Sequence, residues 1–212
     1  MDYTQHQHPR FARAFARAVE GMNRRGASEH RRRMLAGLHG RVIEIGAGEG
    51  SAFALYPPAV THVLALEPDD YLRSLAGDRA AAATVPVTVS PAAAEQIPAG
   101  DGSADAVVAS LVLCSVADQA AVLAEVRRVL RPGGTLAYYE HVRSGNPVLA
   151  TVEDVLTPAW RRLAGGCHPN RDTLSAIAAA GFTIQENQRF GFAVHPLAPP
   201  VAHILGRATS TP

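Results

Sequence analysis

The hydrophobic positions change their period near Arg41, and the change divides the chain into two parts. Upstream, apolar residues recur at helical spacing between arginines and predict an amphipathic helix: Phe11, Phe15, Val19 and Met22. Downstream, short apolar runs rich in β-branched residues alternate with helical segments, which is typical of βαβ units and a parallel sheet. We therefore expect a helical cap over residues 1–40 and one α/β domain over residues 41–212.

The apolar runs of the second part predict seven strands. They cover residues 42–45, 60–66, 85–89, 104–110, 135–142, 182–192 and 201–209. Helices are predicted over residues 70–76, 118–130 and 172–180. Between residues 145 and 171 the periodicity weakens, and Gly/Pro-rich segments bracket a helical stretch that holds Trp160. We interpret this stretch as a lid insertion over the carboxyl edge of the sheet.

The densest chemical signal is a glycine-rich segment, Glu44-Ile45-Gly46-Ala47-Gly48-Glu49-Gly50-Ser51, which directly follows the first strand. Missing side chains let a ligand approach the backbone, and a following helix would offer N–H groups. Such turns also serve nicotinamide dinucleotides, or are purely structural. Glu67 ends the second strand, where a carboxylate can accept both hydroxyls of a ribose, although a solvated turn residue is the alternative. Together they predict an adenosine site.

Composition narrows the choice of partners and compartment. The 212 residues are 47% hydrophobic, enough for one core, and 20 basic residues, all arginine, nearly balance 19 acids, so nucleic acid is not an expected partner. The two cysteines, Cys114 and Cys167, form no CxxC pair, which favours a reducing cytoplasm. No apolar run predicts a transmembrane segment or a secretory signal. The arginine-rich residues 24–33 are interpreted as a solvated helix, with peripheral contact to an anionic membrane as the alternative.

The motifs between Arg41 and Val142 resemble those of the class I S-adenosylmethionine-dependent methyltransferases. The glycine-rich segment is similar to their first motif, and Leu66-Glu67-Pro68 to their acidic second motif. The segment from Glu125 to Gly134, which runs into Arg-Pro-Gly-Gly, is the most specific part of the likeness. The resemblance implies S-adenosyl-L-methionine as cofactor. It also implies a doubly wound, Rossmann-like sheet of seven strands in the order 3-2-1-4-5-7-6, with the last strand antiparallel.

A closer resemblance, from about Gly40 to Phe182, is to the thiol S-methyltransferases and the phospholipid N-methyltransferase-like group. It is carried by Ser-Leu-Val-Leu-Cys-Ser-Val at 110–116, Tyr-Glu-His-Val at 139–142, Thr-Pro-Ala-Trp at 157–160 and Gly-Cys at 166–167. The mammalian members have an apolar amino-terminal anchor that this sequence lacks. Ala93 stands where many members have an aspartate near the adenine.

The family resemblance also implies a set of cofactor contacts. Gly46, Ala47 and Gly48 would lie against the methionyl part, with Glu44 at its ammonium group and Glu67 on the ribose. Pro68, Ala94 and Glu95 would flank the adenine, and Leu111 and Cys114 would face the methionine portion and the acceptor. Glu44 has a second interpretation, as a strand carboxylate that a local amide satisfies.

Methyl transfer from a sulfonium requires alignment and exclusion of water but no metal. The closer resemblance implies a small-molecule thiol as the preferred acceptor, with an amine, a hydroxyl or a lipid headgroup as alternatives. A few per cent of a thiol is ionised near neutral pH, so modest electrostatic help would suffice for it. His141 is the candidate base, although a polar histidine at a strand end is an equal interpretation. His6 and His8 lack a third ligand, so no metal site is expected. The competing hypotheses are a nicotinamide oxidoreductase and a non-catalytic cofactor-binding module.

Overall fold

The computed structural model describes residues 3–194 and 198–210. The helices are α1 (Pro9–Met22), α2 (Ser28–Leu35), α3 (Asp70–Ala81), α4 (Gln119–Val129), α5 (Pro147–Leu163) and α6 (Thr173–Ala179). The strands are β1 (Gly40–Ile45), β2 (Val60–Leu66), β3 (Val87–Ser90), β4 (Ala104–Ser110), β5 (Leu130–His141), β6 (Phe182–Phe192) and β7 (Val201–Ser210). Short 3₁₀ turns at Thr4–His6 and Phe53–Leu55 and a π-helical turn at Asn23–Ala27 complete the elements.

The seven strands form one sheet in the order β3-β2-β1-β4-β5-β7-β6, which confirms the order expected from the resemblance. The first five strands are parallel. β7 runs antiparallel to both β5 and β6, as expected for the last strand. The chain winds outward from β1 in one direction and returns through β4 in the other. A crevice therefore opens between the carboxyl ends of β1 and β4, where open α/β sheets bind their ligands.

Apolar side chains fill the space on both faces of this sheet. One cluster joins the sheet to α4 and α6 through residues such as Val126 and Ile177. The other joins it to α2, whose Met34 and Leu35 are fully buried. The cap is thus anchored to the sheet by the apolar end of α2. Between α1 and α2, Gly26 adopts φ +119°, which redirects the chain.

Three details differ from the sequence prediction. β5 begins at Leu130, because Leu130 already pairs with Ala104; the Arg-Pro-Gly-Gly segment then bulges out before pairing resumes between Thr135 and Ala106. α3 continues five residues further, to Ala81. Arg31 is buried with 5% exposure, although the basic segment was interpreted as solvated. Burial of Arg31 follows from its position on the helix face that also carries Met34 and Leu35.

α5 is the element least covered by the rest of the chain. Several of its apolar side chains are exposed: Val148, Leu149, Val152, Val155, Leu156, Trp160 and Leu163. Asn146 caps its first turn by accepting from the amides of Val148 and Leu149. Among the residues described, no helix combines the length and the apolar character that crossing a membrane requires.

Gly206, in the antiparallel part of the sheet, is expected to be sensitive to substitution. A Cβ on Gly206 would overlap the carbonyl oxygen of Glu186 and lie 2.6 Å from Oη of Tyr138. We expect Gly206→Ala to lower the free energy of unfolding by roughly 1–3 kcal/mol, because backbone cannot yield as a flexible side chain does. Gly77→Ala is the control, since a Cβ at Gly77 in α3 meets nothing within 4 Å. It should raise stability by about 0.5–1 kcal/mol. Urea unfolding measures both, and equal stabilities would contradict this packing.

Candidate active site

The carboxyl ends of β1, β2, β4 and β5 bring the predicted site residues to one edge of the sheet. Gly46 to Gly50 follow β1, Glu67 follows β2, the segment from Leu111 to Cys114 follows β4, and His141 ends β5. Residues far apart in the sequence thus converge because parallel strands end on the same side. A separate open groove of about 720 Å³ beside α4 and α6 includes none of these residues.

The glycine-rich turn is shaped by its surroundings as well as by its backbone. Gly46 and Gly48 adopt φ +57° and +59°, which favour glycine. A Cβ on Gly46 would also lie 2.5 Å from a methyl group of Val112. Two amides of the turn itself are already used: that of Ala47 donates to Leu66 and that of Gly48 to Glu67. The turn is followed by the short 3₁₀ turn rather than by an α-helix, so it offers open backbone and not free helical N–H groups.

Glu67 is held in place by two backbone amides. Oε2 accepts from Gly48 at 2.8 Å and Oε1 accepts from Asp69 at 2.8 Å. Each oxygen keeps a further lone pair, as a group that accepts two vicinal hydroxyls requires. Burial raises the pKa of Glu67 to about 7, while the two amides act in the opposite direction. The carboxylate is therefore a buried acceptor and not a solvated turn residue.

Glu44 is buried in β1, and its partner is a side chain. Oε2 accepts from the hydroxyl of Tyr56 at 2.8 Å, so the local amide considered as an alternative does not serve this oxygen. Burial raises the pKa of Glu44 to about 7, against the opposing effects of Tyr56 and the positive charge of Arg31. Sequence reasoning missed Tyr56 and Arg31. Arg31 could have been found from its helical spacing to the apolar residues of α2.

The residues predicted to flank an adenine lie beyond β2 and β3. The carbonyl oxygen of Pro68 accepts from Gln7 at 2.8 Å and from Arg73 at 3.0 Å. Ala94 is buried, and Glu95 is partly exposed. The bond from Gln7 ties the segment that leads into α1 to the end of β2.

α1 covers the crevice through two phenylalanines. A Cβ on Gly48 would lie 3.6 Å from Cε1 of Phe15, and one on Gly165 would lie 2.7 Å from the ring of Phe11. The two rings contact each other with centroids 5.7 Å apart. α1 thus spans from the glycine-rich turn to the loop that follows α5, and it shields this edge from water.

The segment after β4 is organised by Glu140 of β5. Oε1 accepts from the amides of Val112 and Leu113 at 3.0 and 2.9 Å, and Oε2 accepts from the amide of Cys114 at 3.0 Å. Leu111 adopts φ +61°, the one non-glycine residue with a positive φ in the described chain, and its amide donates to Tyr139. Complete burial raises the pKa of Glu140, and the three amides oppose that rise. This carboxylate fixes where Cys114 lies.

Cys114, His141 and Cys167 come together at the end of β5. Nδ1 of His141 lies 3.2 Å from Sγ of Cys167, and the two sulfurs are 3.7 Å apart. Both cysteines are free thiols and both are buried. Nε2 of His141 is buried without a partner. The candidate base His141 therefore lies beside two thiols, one of which belongs to Cys114. The glycine-rich loop that carries Cys167 turns tightly, with Gly165 and Gly166 at φ +59° and +86°.

The sequence analysis named His141 and Cys114 as candidate site residues but did not predict that Cys167 lies beside them. The three residues are separated by 27 and 26 positions, and their spacing resembles no local ligand motif. Their proximity arises from the sheet topology and from the return of the chain after α5.

Comparison with known proteins identifies the family. Residues 43–138 match a family described as a methyltransferase domain. Human thiol S-methyltransferase TMT1B is 37% identical over 184 residues, which cover 82% of this chain and 73% of that protein. Human thiol S-methyltransferase TMT1A is 36% identical over 156 residues, 70% of this chain and 63% of that protein. The chain belongs to the class I S-adenosyl-L-methionine-dependent methyltransferases. It is an enzyme of that class, and S-adenosyl-L-methionine is its cofactor.

Solved structures of other proteins have the same fold as this methyltransferase. An S-adenosylmethionine-dependent methyltransferase from Mesorhizobium loti superposes with a TM-score of 0.62 at 21% identity, covering 87% of this chain and 98% of that one. The cyclase SpnF superposes with a TM-score of 0.66 at 19% identity, covering 87% and 79%. The fold thus accommodates more than one chemistry, so the acceptor has to be argued from the site.

The role of Glu140 predicts a local loss of order when its carboxylate is removed. Glu140→Ala would leave three buried amides without an acceptor, so we expect the free energy of unfolding to fall by about 3–5 kcal/mol. Hydrogen exchange at Val112, Leu113 and Cys114 should accelerate before exchange in the strands does. Glu20→Ala is the control, because Glu20 is 83% exposed and pairs only loosely with Arg24; it should change stability by less than about 0.5 kcal/mol. Unchanged exchange at residues 112–114 would show that Glu140 does not hold the segment.

Proposed function

We propose that the crevice between β1 and β4 binds S-adenosyl-L-methionine in the orientation expected from the resemblance. Gly46, Ala47 and Gly48 lie against its methionyl part, and Glu44 faces the ammonium group. Glu67 accepts from the ribose. Pro68, Ala94 and Glu95 flank the adenine, and Leu111 lies beside the methionine portion.

The charges of the crevice fit a cation, which supports the proposal. S-adenosyl-L-methionine carries a sulfonium and an ammonium, and two buried carboxylates, Glu44 and Glu67, lie at the ends of neighbouring strands. Burial raises the pKa of each to about 7 in the free protein. A bound cation favours the ionised carboxylate and offsets part of this desolvation. The backbone carbonyl oxygens of the glycine-rich turn suit an ammonium group, since they accept hydrogen bonds.

Glu67 gives this proposal a test with a defined pH dependence. The ribose hydroxyls donate to an ionised carboxylate, whereas the free protein takes up a proton as the pH falls through about 7. Binding must then release that proton, so affinity should fall below pH 7, by at most about tenfold per pH unit for each of Glu67 and Glu44. We expect Glu67→Gln to weaken binding by about tenfold to a hundredfold at pH 8 and to remove the share of the pH dependence that comes from Glu67, leaving that of Glu44.

Calorimetry in buffers of different ionisation enthalpy measures both the affinity and the released proton. Asp70→Asn is the matched control, because Asp70 lies on the neighbouring helix with a 74% exposed side chain that pairs with Arg73. It should leave the affinity and its pH dependence unchanged. Unaltered affinity in Glu67→Gln, or tighter wild-type binding at low pH, would place the ribose elsewhere.

We further propose that the acceptor is a small-molecule thiol, so that the enzyme is a thiol S-methyltransferase. The observation that carries this proposal is the extent of the match to TMT1B, 82% of the chain, against the shorter stretch of 43–138 in the general methyltransferase domain. The longer match therefore includes residues outside the cofactor-binding core. The predicted lid and the cap belong to those outer parts.

The described residues would serve this reaction mainly by alignment and by exclusion of water. α1 shields the glycine-rich turn through Phe15 and meets the loop after α5 through Phe11. Displacement at a sulfonium carbon needs a nucleophile in line with the departing sulfur and a dry site. His141, with Nε2 free of protein partners and Nδ1 towards Cys167, remains the proposed group for accepting the proton of the acceptor. The two free cysteines are consistent with the cytoplasmic location proposed for the enzyme.

The acceptor class is tested with a panel of thiols, amines and phenols. We expect methylated thioethers, identified by mass, with rates that rise with pH as the acceptor thiol ionises, since the thiolate is the nucleophile. Each reaction is run beside an otherwise identical mixture that lacks enzyme, because thiolates react slowly without one.

Transfer only to an amine, a phenol or a lipid headgroup would replace the thiol proposal by an N- or O-methyltransferase. Tight cofactor binding without transfer to any member would favour the non-catalytic module.

A further inference from the structure

The cluster of Cys114, His141 and Cys167 has the composition of a metal site. The two sulfurs and a ring nitrogen of His141 all lie within 4.8 Å of one another. The three residues come from different elements: the segment after β4, the end of β5 and the loop after α5. Soft thiolate ligands with an imidazole favour zinc among the common divalent ions. No sequence motif indicated the cluster. The chemistry of methyl transfer does not by itself require a metal ion.

The distances agree with ligands around one ion. With Zn–S bonds of about 2.3 Å and a Zn–N bond of about 2.0–2.1 Å, a tetrahedral site separates two sulfurs by about 3.8 Å and sulfur from nitrogen by about 3.6 Å. The two sulfurs are 3.7 Å apart, and Nδ1 of His141 lies 3.2 Å from Sγ of Cys167. A disulfide would require the sulfurs to approach to about 2.05 Å.

The main chain around both cysteines is fixed by hydrogen bonds that would keep this arrangement. The amide of Cys114 donates to Glu140, and its carbonyl oxygen accepts from the amide of His168 at 2.8 Å. The guanidinium group of Arg171 donates to the carbonyl oxygens of Leu113 and Val116 at 3.0 and 2.7 Å. The loop after α5 is thereby attached to the segment after β4. Such preorganisation lowers the cost of assembling ligands around an ion.

A second histidine packs against His141 and is a suitable supporting group for its second nitrogen. When Nδ1 binds a metal, Nε2 carries a hydrogen and needs an acceptor. The ring of His203 lies with its centroid 4.3 Å from that of His141. Nδ1 of His203 lies 2.9 Å from the carbonyl oxygen of Val201, a contact that uses its N–H and leaves Nε2 as an acceptor. Nε2 of both histidines is buried without a partner, so both are available for such a contact.

We propose that Cys114, Cys167 and Nδ1 of His141 bind one zinc ion, and that its fourth position takes the thiolate of the acceptor. Zinc sites with three protein ligands keep a position open for substrate, and two cysteines with one histidine are a known set of this kind. Two thiolates also balance the charge of a divalent ion in a buried place. The role of the fourth position rests on the proposed thiol acceptor, whereas binding of the ion does not.

The reaction balances without an oxidant or a reductant. Because His141 then serves as a ligand and not as the base, the acceptor thiol loses its proton to solvent as its sulfur coordinates the ion. A lone pair of that sulfur forms the new S–CH₃ bond, and the sulfonium carbon–sulfur bond breaks with its electron pair going to the departing sulfur. Both sulfurs end as neutral thioethers, which are weaker ligands than thiolates, so the product leaves the ion.

The test uses protein without a histidine tag, so that no added ligands compete. We expect elemental analysis to find about one zinc ion per chain. Replacement by Co²⁺ should give sulfur-to-metal charge-transfer absorption and the visible bands of a four-coordinate ion. Cys114→Ser, Cys167→Ser and His141→Ala should each abolish both signals. His168→Ala and the double variant His6→Ala/His8→Ala are matched controls that should keep them.

A measurement on the unaltered chain tests the metal site even if the variants fail to fold. Both cysteines should resist alkylation in the zinc-loaded protein and react after chelation. Zinc at trace levels only, Co²⁺ spectra without sulfur bands, or a Cys114–Cys167 disulfide in place of the ion would overturn the site.

The fourth position is tested separately by adding a small thiol to the Co²⁺ protein. We expect the charge-transfer band to grow and the metal-free enzyme to lose at least tenfold in thiol methylation. Full thiol methylation without the ion would overturn the role of the fourth position and leave the proposed function intact. Absence of thiol methylation in both forms, with the Co²⁺ spectrum present, would instead remove the proposed function and keep the metal site.

Discussion

The buried carboxylate of Glu140 accepts three successive amides after β4, and the geometry of the reaction site depends on this interaction. Without an acceptor, the amides of Val112, Leu113 and Cys114 would be buried and unsatisfied, which is costly inside a protein. With it, the chain turns sharply through Leu111 at positive φ and places Cys114 beside the end of β5. The same turn puts Val112 against Gly46, so one contact couples the two sides of the crevice.

A second constraint is the covering of the crevice by elements outside the sheet. α1 reaches it because Gln7 bonds to the end of β2 and because Gly26 redirects the chain into α2, which is anchored in the core. The loop after α5 reaches it because His168 and Arg171 bond to the segment after β4. Exclusion of water by both would strengthen the proposed electrostatic interactions of Glu44 and Glu67 with a cation. The same closure implies that these covering elements move when a ligand enters.

The strands could be predicted well from the sequence because the signals that define them are local. Runs of β-branched residues and the turn at Arg-Pro-Gly-Gly each act within a few residues, and the family resemblance supplied the strand order. Glu44 and Glu67 could be singled out because each adjoins a strand end, and their proposed roles come from the resemblance. The positions of Tyr56, Arg31 and Cys167 could not be predicted, because they arise from contacts between elements that are distant in sequence. The helix expected to offer N–H groups after the glycine-rich turn was wrong, since a short 3₁₀ turn follows instead.

The central claim is that the crevice at Gly46 and Glu67 delivers a methyl group towards the cluster at the end of β5. A crystal structure with S-adenosylhomocysteine and a thiol acceptor tests it most directly. The account predicts the nucleoside across the ends of β1 and β2, its sulfur pointing towards Cys114, and the acceptor sulfur between it and the Cys114–His141–Cys167 cluster. A nucleoside bound outside this crevice, or an acceptor on the side away from the cluster, would contradict the account.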